Sequence, residues 1–534
     1  MPVNTRTRRA AAAAFAGAAL AAAACTDVTV APRSAIGIAN VVGDSASYRA
    51  LLAKAYSNLA LSSGRGANES DIQGIDPGFS QYTRLLWQME ELPTDEAVIA
   101  WGDGPLQELN TQIWTSNNSF LNGMYYRIQL QATYANDLLR QTTDAQLAGR
   151  TLSAGLREQI RTYRAEARFL RALSYWHAID LFGGVPLVTE DTPVPGPNPP
   201  QTSRADLFAF VVSELTAIRP ELPAPDRADA SQYGRATQAA VDMLLAKLHL
   251  NAEVYTGAAQ YAQAREAVER VIASGAYQID PSYRDMFLAD NHTSPELVFV
   301  VPQDGARTQN WGVTSFLVHA PIGNALNDSA MTSFGIDGGW YGLRVKPELV
   351  GLFTASLATA ADVRGGILYG RGQTLNIASL TDFGQGYLAP KYRNVTSTGQ
   401  PGSDPTFVDT DYPMFRLGDA YLMYAEAVLR GGGGSRATAL DYVNVLRRRA
   451  GAAPITDAQL TLDFLLDERG RELFWEGHRR TDLVRYGRFT GAGRLWQWKG
   501  NVQAGRATEP FRDLYPLPAS ELIANTGLTQ NPGY

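Results

Sequence analysis

Four residues near the C-terminus, Glu472, Glu476, His478 and Asp482, are of types that hold metals or exchange protons. Glu472 and Glu476 share a helix face, but Gly477 separates Glu476 from His478, and the spacing is not the H-E-x-x-H of a zinc helix. Arg469, Arg471, Arg479 and Arg480 are interleaved with them, so the pattern reads as an ion-pair network pinning a helix end to its neighbours. Asp95 and Glu96 are the carboxylates that could serve glycoside hydrolysis, which needs two at a set separation with one pKa raised. The plainer reading is that they cap or orient a loop, and Asp95 is also carried forward as a candidate ligand residue. His177 sits among Trp176, Ala178 and Ile179, as a satisfied core histidine would, and His249, His292 and His319 are scattered. No phosphate-binding glycine loop follows a strand, and Gly431 to Gly434 reads as a turn between helices. No catalytic, metal or cofactor site is expected.

A different chemistry is carried by aromatic residues set in polar, Gly-rich loops: Trp101 in Ala-Trp-Gly-Asp-Gly, Trp311 in Gln-Asn-Trp-Gly, and Trp340-Tyr341 in Asp-Gly-Gly-Trp-Tyr-Gly. An aromatic face offers a flat apolar platform to the C–H face of a sugar ring, while nearby amides and carboxylates bond its hydroxyls. Flanking glycines let the ring stand clear of the backbone. Trp340 is the leading candidate, with Asn327 and Asp337 close in sequence to supply polar contacts. Trp475, Trp496 and Trp498 lie in or beside Arg-rich helical segments and read as structural.

Cys25 is the only cysteine, and it follows Arg6, Arg8 and Arg9 and an alanine-rich run from Ala10 to Ala24. A positive n-region, a short apolar stretch and small residues before the cut are the parts of a secretory leader. A cysteine at the cut adds a thiol for lipidation. The apolar run is shorter than the roughly 20 residues a spanning helix needs, so the body is expected to be anchored by lipid. Removing residues 1–24 takes away three arginines and no acids, moving the formal charge from -6 to -9. An acidic surface argues against nucleic acid as partner. With Cys25 acylated, no thiol remains for disulfides or thiol catalysis.

The elements that must position these groups are mostly helical. Residues 25–45 read as a polar tether, and folded structure is expected from near Tyr48. Helical spacing marks Tyr48 to Leu61, Leu121 to Leu139 and Arg161 to Leu181, with a long Gly-rich loop region from Ser62 to Asn118. A proline-rich connector, Pro193 to Pro200, precedes a helix opened by Ser203 and Asp206. Two helix pairs follow, Thr237 to Tyr255 with Ala259 to Ile272, and Arg416 to Arg430 with Ala437 to Arg449. Helix, Gly turn and helix with small Ala positions is the build of tetratricopeptide-like units, which bury a face by stacking. Between the pairs, about 277–412 is loop-rich with short strand candidates such as Leu297 to Val301, and such insertions tend to carry binding surfaces.

Five segments, in order, resemble the RagB/SusD family of nutrient-uptake lipoproteins. They are Ala165 to Leu187 with its Arg168-Phe169 and Gly-Val-Pro-Leu ending, Phe415 to Ala427, Val443 to Gly451, Asp467 to Leu483, and Tyr515-Pro-Leu-Pro518 with Thr529 to Tyr534. The resemblance implies a mainly α, SusD-like fold: a tetratricopeptide-like helical repeat scaffold with a large loop-rich insertion carrying short strands. It implies a leader (1–24), a lipidated tether (25–45) and a single domain (46–534) with helical parts at about 46–275 and 413–534 flanking a ligand face at 276–412. It further implies an outer-membrane protein facing the cell exterior that hands oligosaccharide to a TonB-dependent (SusC-like) barrel transporter without catalysis. The alternatives are a peptide-binding member of the same uptake system, an α-helical glycoside hydrolase, and a repeat scaffold that binds only protein.

Overall fold

The structure is a computed structural model that describes residues 44–323, 333–354, 361–368, 370 and 372–534. Cys25, the leader, all but the last residues of the tether, and Asn327 therefore lie outside the described residues. The chain from Arg49 to Tyr534 is one compact unit, and the residues before it contribute only the opening turn of α1 (Ser45–Ala60) to the description.

The stretch expected to be loop from Ser62 to Asn118 is instead structured by α2 (Tyr82–Glu91), β1 (Ala97–Ile99) and α3 (Gly104–Thr111). All ten residues of α2 are buried, although Tyr82, Leu85, Leu86 and Met89 recur at helical spacing among Thr83, Arg84, Gln88, Glu90 and Glu91. Gln81 caps it by accepting from the Arg84 N–H. The long α4 (Ser119–Gln141) and α6 (Ala154–Leu181), separated by the short α5 (Asp144–Ala148), pack on each other as an antiparallel pair. Ser153 caps α6, and Gly183 ends it in the left-handed region. A small hairpin of β2 (Val185–Pro186) and β3 (Gln201–Thr202) leads to α7 (Arg204–Ile218), capped by Ser203 as expected.

The helix expected over Thr237 to Tyr255 breaks at Asn251 into α8 (Gln238–Leu250) and α9 (Ala252–Thr256), because the Asn251 side-chain amide turns back to the Lys247 carbonyl. Next come α10 (Tyr261–Ala273), β4 (Leu297–Val301), α11 (Val313–His319), β5 (Leu343–Val345) and α12 (Pro347–Thr354). The C-terminal part holds β6 (Tyr412–Arg416), α13 (Leu417–Leu429), α14 (Arg436–Arg449), α15 (Leu462–Leu473), α16 (Arg479–Arg485) and α17 (Ala519–Ala524). Successive helices stack in order: α6 on α7, α8 on α10, α10 on α13, and α13 on α14. Two consecutive repeat pairs are thus neighbours in space although more than a hundred residues separate them in sequence. The intervening chain leaves the stack after α10 and returns along β6, which pairs antiparallel with β4.

The C-terminal Glu, His and Arg cluster is the ion-pair network its composition suggested. Glu472 meets Arg364 at 2.9 Å, Arg416 at 2.8 Å and Arg449, while Glu476 meets Arg416 at 2.6 Å and Lys391 at 2.7 Å. Asp482 pairs with Arg469 and Arg485, and Asp419 with Lys247 and Arg469. These groups are almost wholly removed from solvent. Burial, with Lys247 nearby, holds the His478 pKa down at about 3, so the ring is neutral and accepts from the Lys247 ammonium at 3.3 Å. His177 is likewise neutral, its pKa lowered by burial to about 3, with Nδ1 2.8 Å from the Tyr82 hydroxyl. Among the described residues no group of His, Cys, Asp or Glu is arranged to hold a metal ion, and no helix is long and apolar enough to cross a membrane.

Against the full cost of burial, Arg449, Arg416 and Arg364 hold the Glu472 pKa down at about 2, below its ordinary 4.5. Its contribution to stability is therefore complete above pH 4.5 and is lost as pH falls toward 2. Glu472→Gln should cost roughly 3–5 kcal/mol at pH 7, because it leaves buried cations unmatched. Melting curves should show the gap between native and variant narrowing as the pH is lowered through 4.5 to 2.5. A gap constant over that range would contradict this assignment.

Candidate functional site

The three aromatic loops singled out in the sequence converge. β1 and β5 pair antiparallel with Ile99 opposite Leu343, and the ladder extends one bond further, from the Ala100 N–H to the Gly342 carbonyl at 2.9 Å. That register places Trp101, just after β1, beside Trp340 and Tyr341, just before β5. The Trp101 indole N–H donates to the Trp340 carbonyl at 2.9 Å. Gly342 is required here: a Cβ on it would come within 2.8 to 2.9 Å of the Trp101 indole.

Trp340 is half-buried and lies flat on His319, the last residue of α11, at 4.7 Å between centroids and 11° between planes. His319 is fixed by two carbonyls, Gly338 at 2.6 Å from Nδ1 and Thr406 at 3.1 Å from Nε2. Burial lowers its pKa, while the two carbonyls act in the opposite direction. Trp311 sits just ahead of α11, edge-on to Trp340 at 5.8 Å and against Phe407 at 4.8 Å. Its indole N–H donates to Asn68 at 2.9 Å. Tyr341 is 41% exposed and has φ of +53°, a left-handed backbone that is uncommon for a tyrosine. Its ring meets the edge of Phe383 at 5.5 Å.

Beneath these rings lies Arg84 of α2, 3% exposed. Its guanidinium stacks on Phe316 at 4.4 Å and Phe79 at 4.6 Å, and it donates to the Trp311 carbonyl at 2.7 Å. Burial pushes its pKa down to about 9, while the exposed Asp76 and Asp103 act in the opposite direction. Trp101 meets Phe79 and Phe316 edge-on at 5.9 and 5.7 Å, so one side of its indole is committed to packing. Asp337 is exposed beside the group and accepts from the Thr406 hydroxyl at 2.5 Å. The result is a ridge of rings with carboxylates and an amide at its rim. It lines neither of two cavities among the described residues, of about 660 and 360 Å³.

Asp95 is elsewhere. It is 1% exposed and takes bonds from Arg479 at 2.7 and 2.8 Å and from Arg494 at 2.6 Å, which hold its carboxyl well below the usual range despite burial. It is a structural anion that ties the start of β1 to α16, and the expectation of a ligand contact at Asp95 is corrected on that ground. Glu96 is equally buried and shares a hydrogen bond with Glu91, and burial raises its pKa to about 7. With both sealed from solvent, Asp95 and Glu96 cannot flank a glycosidic bond. Trp475 and Trp496 are buried, and Trp498 donates to the Ile377 carbonyl, in keeping with structural roles. Phe79, Arg84, His319 and Phe407 were not flagged from sequence. The isolated Phe79 beside Pro77-Gly78 was the one available signal, since the other three contacts exist only in the folded chain.

The SusD family model matches residues 360–534. The starch-binding protein SusD of Bacteroides thetaiotaomicron is 32% identical over 542 residues, covering 92% of this chain and 93% of that protein. The chain belongs to the SusD family. A SusD-like protein of Formosa agariphila, P25, is 27% identical over 69% of this chain and 73% of its own length. Among solved structures, surface glycan-binding protein A from Bacteroides thetaiotaomicron, in complex with laminarihexaose, superposes with a TM-score of 0.69 at 20% identity. That match spans 91% of this chain and 98% of the other. A SusD superfamily protein from Bacteroides vulgatus matches with a TM-score of 0.70 at 19% identity, over 92% and 99% of the two chains. The mainly helical, tetratricopeptide-like SusD fold expected from the sequence is the fold observed.

Proposed function

We propose that this SusD-family chain captures oligosaccharides at the cell surface on the ridge formed by Trp101, Trp311, Trp340 and Tyr341, and acts without catalysis. The observation that carries the reading is the convergence of aromatic residues from three separate segments onto one partly exposed surface. Rings held by neighbouring rings and by Arg84 are pre-ordered, so sugar stacking costs little further side-chain entropy. Polar groups at the rim, Asp337 foremost, would bond ring hydroxyls and fix orientation. Asn327, carried over from the sequence, belongs to the same proposed contact set. A shallow ridge lets an extended glycan pass over it and be released. The relatives named as starch- and glycan-binding proteins support the same ligand class.

In the fuller reading, the chain is tethered to the outer membrane through lipidated Cys25, faces the exterior, and delivers its glycan to a TonB-dependent (SusC-like) barrel. The Arg-led, alanine-rich leader before the only cysteine supports the anchor.

Trp340→Ala should weaken oligosaccharide binding by roughly 1–3 kcal/mol, as for an aromatic hot spot, with a small change in melting temperature. A buried plug would instead cost about 3–5 kcal/mol of fold stability. Calorimetric titration and a melting curve on the same variant separate the two, and unchanged affinity with a collapsed melting temperature would sink the ridge as the site. Cys25→Ala should leave the protein unprocessed or released from the outer membrane. Its persistence in salt-washed outer membrane of cells lacking the transporter would refute the lipid anchor.

A further inference from the structure

The larger cavity, of about 660 Å³, is lined by none of the ridge aromatics and falls within the roughly 300–1,000 Å³ typical of small-molecule sites. One wall is strand β4, which contributes Leu297, Val298 and Val300. Tyr233 and Tyr277 supply aromatic walls, and Tyr233 meets the edge of His292 at 6.4 Å. A carboxylate, Asp411, is only 4% exposed. It is placed by the β4–β6 ladder: Val301 is opposite Tyr412, so Asp411 meets the chain leaving β4 and accepts from the Gln303 N–H at 2.6 Å. The Tyr233 hydroxyl donates to its other oxygen. An apolar strand, two phenol rings and a buried, oriented carboxylate in one recess are the parts of a built site, which a patch of surface acids is not. Two loops join it to the ridge. One runs from Gln303 to Trp311, and the other from Asp411 back to Phe407, which packs on Trp311.

Charge selects among sugars. Asp226, Asp229, Asp304 and Asp409 line the cavity with Asp411, against Arg227 and His292, and Asp304 is itself paired with Arg307 at 2.8 Å, which leaves the acids in excess. A uronic acid would meet like charge from these carboxylates, whereas an ammonium would be drawn in.

We propose that this cavity is a second ligand site, separate from the aromatic ridge, that takes a short oligosaccharide carrying a free amine. The choice of a sugar rests on the glycan reading of the chain; the choice of an amine rests on the cavity alone. The test is calorimetric titration of the folded, leader-free protein with a glucosamine hexamer, its N-acetylated counterpart and a uronic-acid hexamer. The expected order is glucosamine strongest, with uronic-acid binding the same in the native protein and in Ala230→Trp. Ala230→Trp, at an exposed position on the cavity wall, should block the entrance without disturbing the core, and Asp411→Asn should remove the buried charge with little change of shape. Each should weaken glucosamine binding tenfold or more, while Trp340→Ala leaves it unchanged. If Asp411→Asn does not fold, Ala230→Trp alone decides. No binding of the glucosamine hexamer to the native protein, or equal binding to the native protein and Ala230→Trp, would overturn the proposal. Loss in Trp340→Ala but not in Ala230→Trp would also overturn it, placing the amine sugar on the ridge and leaving the glycan reading intact. Amine-sugar binding that depends on the cavity, with neutral glycans indifferent to Trp340, would uphold the cavity and fail the ridge.

Discussion

Buried charge has to be matched, and that requirement organises this molecule. Glu472 is shut away from water among Arg364, Arg416 and Arg449, and each of those cations reaches a further carboxylate: Asp362 and Glu468 for Arg364, Glu296 and Glu476 for Arg416, and Glu296 for Arg449. A single missing partner would strand a charge at a cost of several kcal/mol, so the segments around 296, 364, 416, 449 and 472 must arrive together. Such a lattice adds less to net stability than an apolar core of the same volume could. What it supplies here is register, because a slipped helix would leave charges unpaired.

From that lattice a continuous path leads to the ridge. The turn after α15 is held against α2, where the Trp87 indole donates to the Trp475 carbonyl and the Glu91 carboxylate accepts from the Gly477 and His478 N–H groups. Arg479 then grips Asp95, fixing the chain that enters β1. β1 sets the register of β5, and the two strands deliver Trp101, Trp340 and Tyr341 to one place. The loop insertion can therefore vary at its surface while its aromatic residues stay where the frame puts them. The same division of labour serves the cavity, whose buried Asp411 is placed by the β4–β6 ladder.

Much of the frame was legible in the sequence because it follows local rules. The periodic helices were read to within a few residues in most cases, as at α13 and α14, and Ser203 capped the helix it was expected to cap. The ion-pair network was legible from residue types alone, since Arg interleaved with Glu and Asp on a helix has few other uses. Most of what failed had no local signature. The helical period of α2, Tyr82, Leu85, Leu86 and Met89, stood in the sequence but lay inside a stretch read as Gly-rich loop, whereas β1 and β5 are three residues each, too short for alternation to show. Asp95 looked like a loop carboxylate because its partners lie nearly four hundred residues away. The aromatic residues were visible one by one through their Gly-rich surroundings, but their meeting depends on a strand pairing across some 240 residues. The cavity escaped notice for the same reason, as its walls come from the 226–237 loop, β4 and the end of the insertion.

The proposed account is a charge-locked helical frame that holds one ridge of aromatic residues out to a sugar chain. A crystal structure of the complex with a neutral glucan hexasaccharide, either laminarihexaose or maltohexaose, tests it most directly. The account expects sugar rings lying over the exposed faces of Trp340 and Tyr341 with Trp311 alongside, and the helices around Glu472 unmoved. A hexasaccharide bound away from all of these rings, or one that displaces Trp340 from its stack on His319, would contradict it.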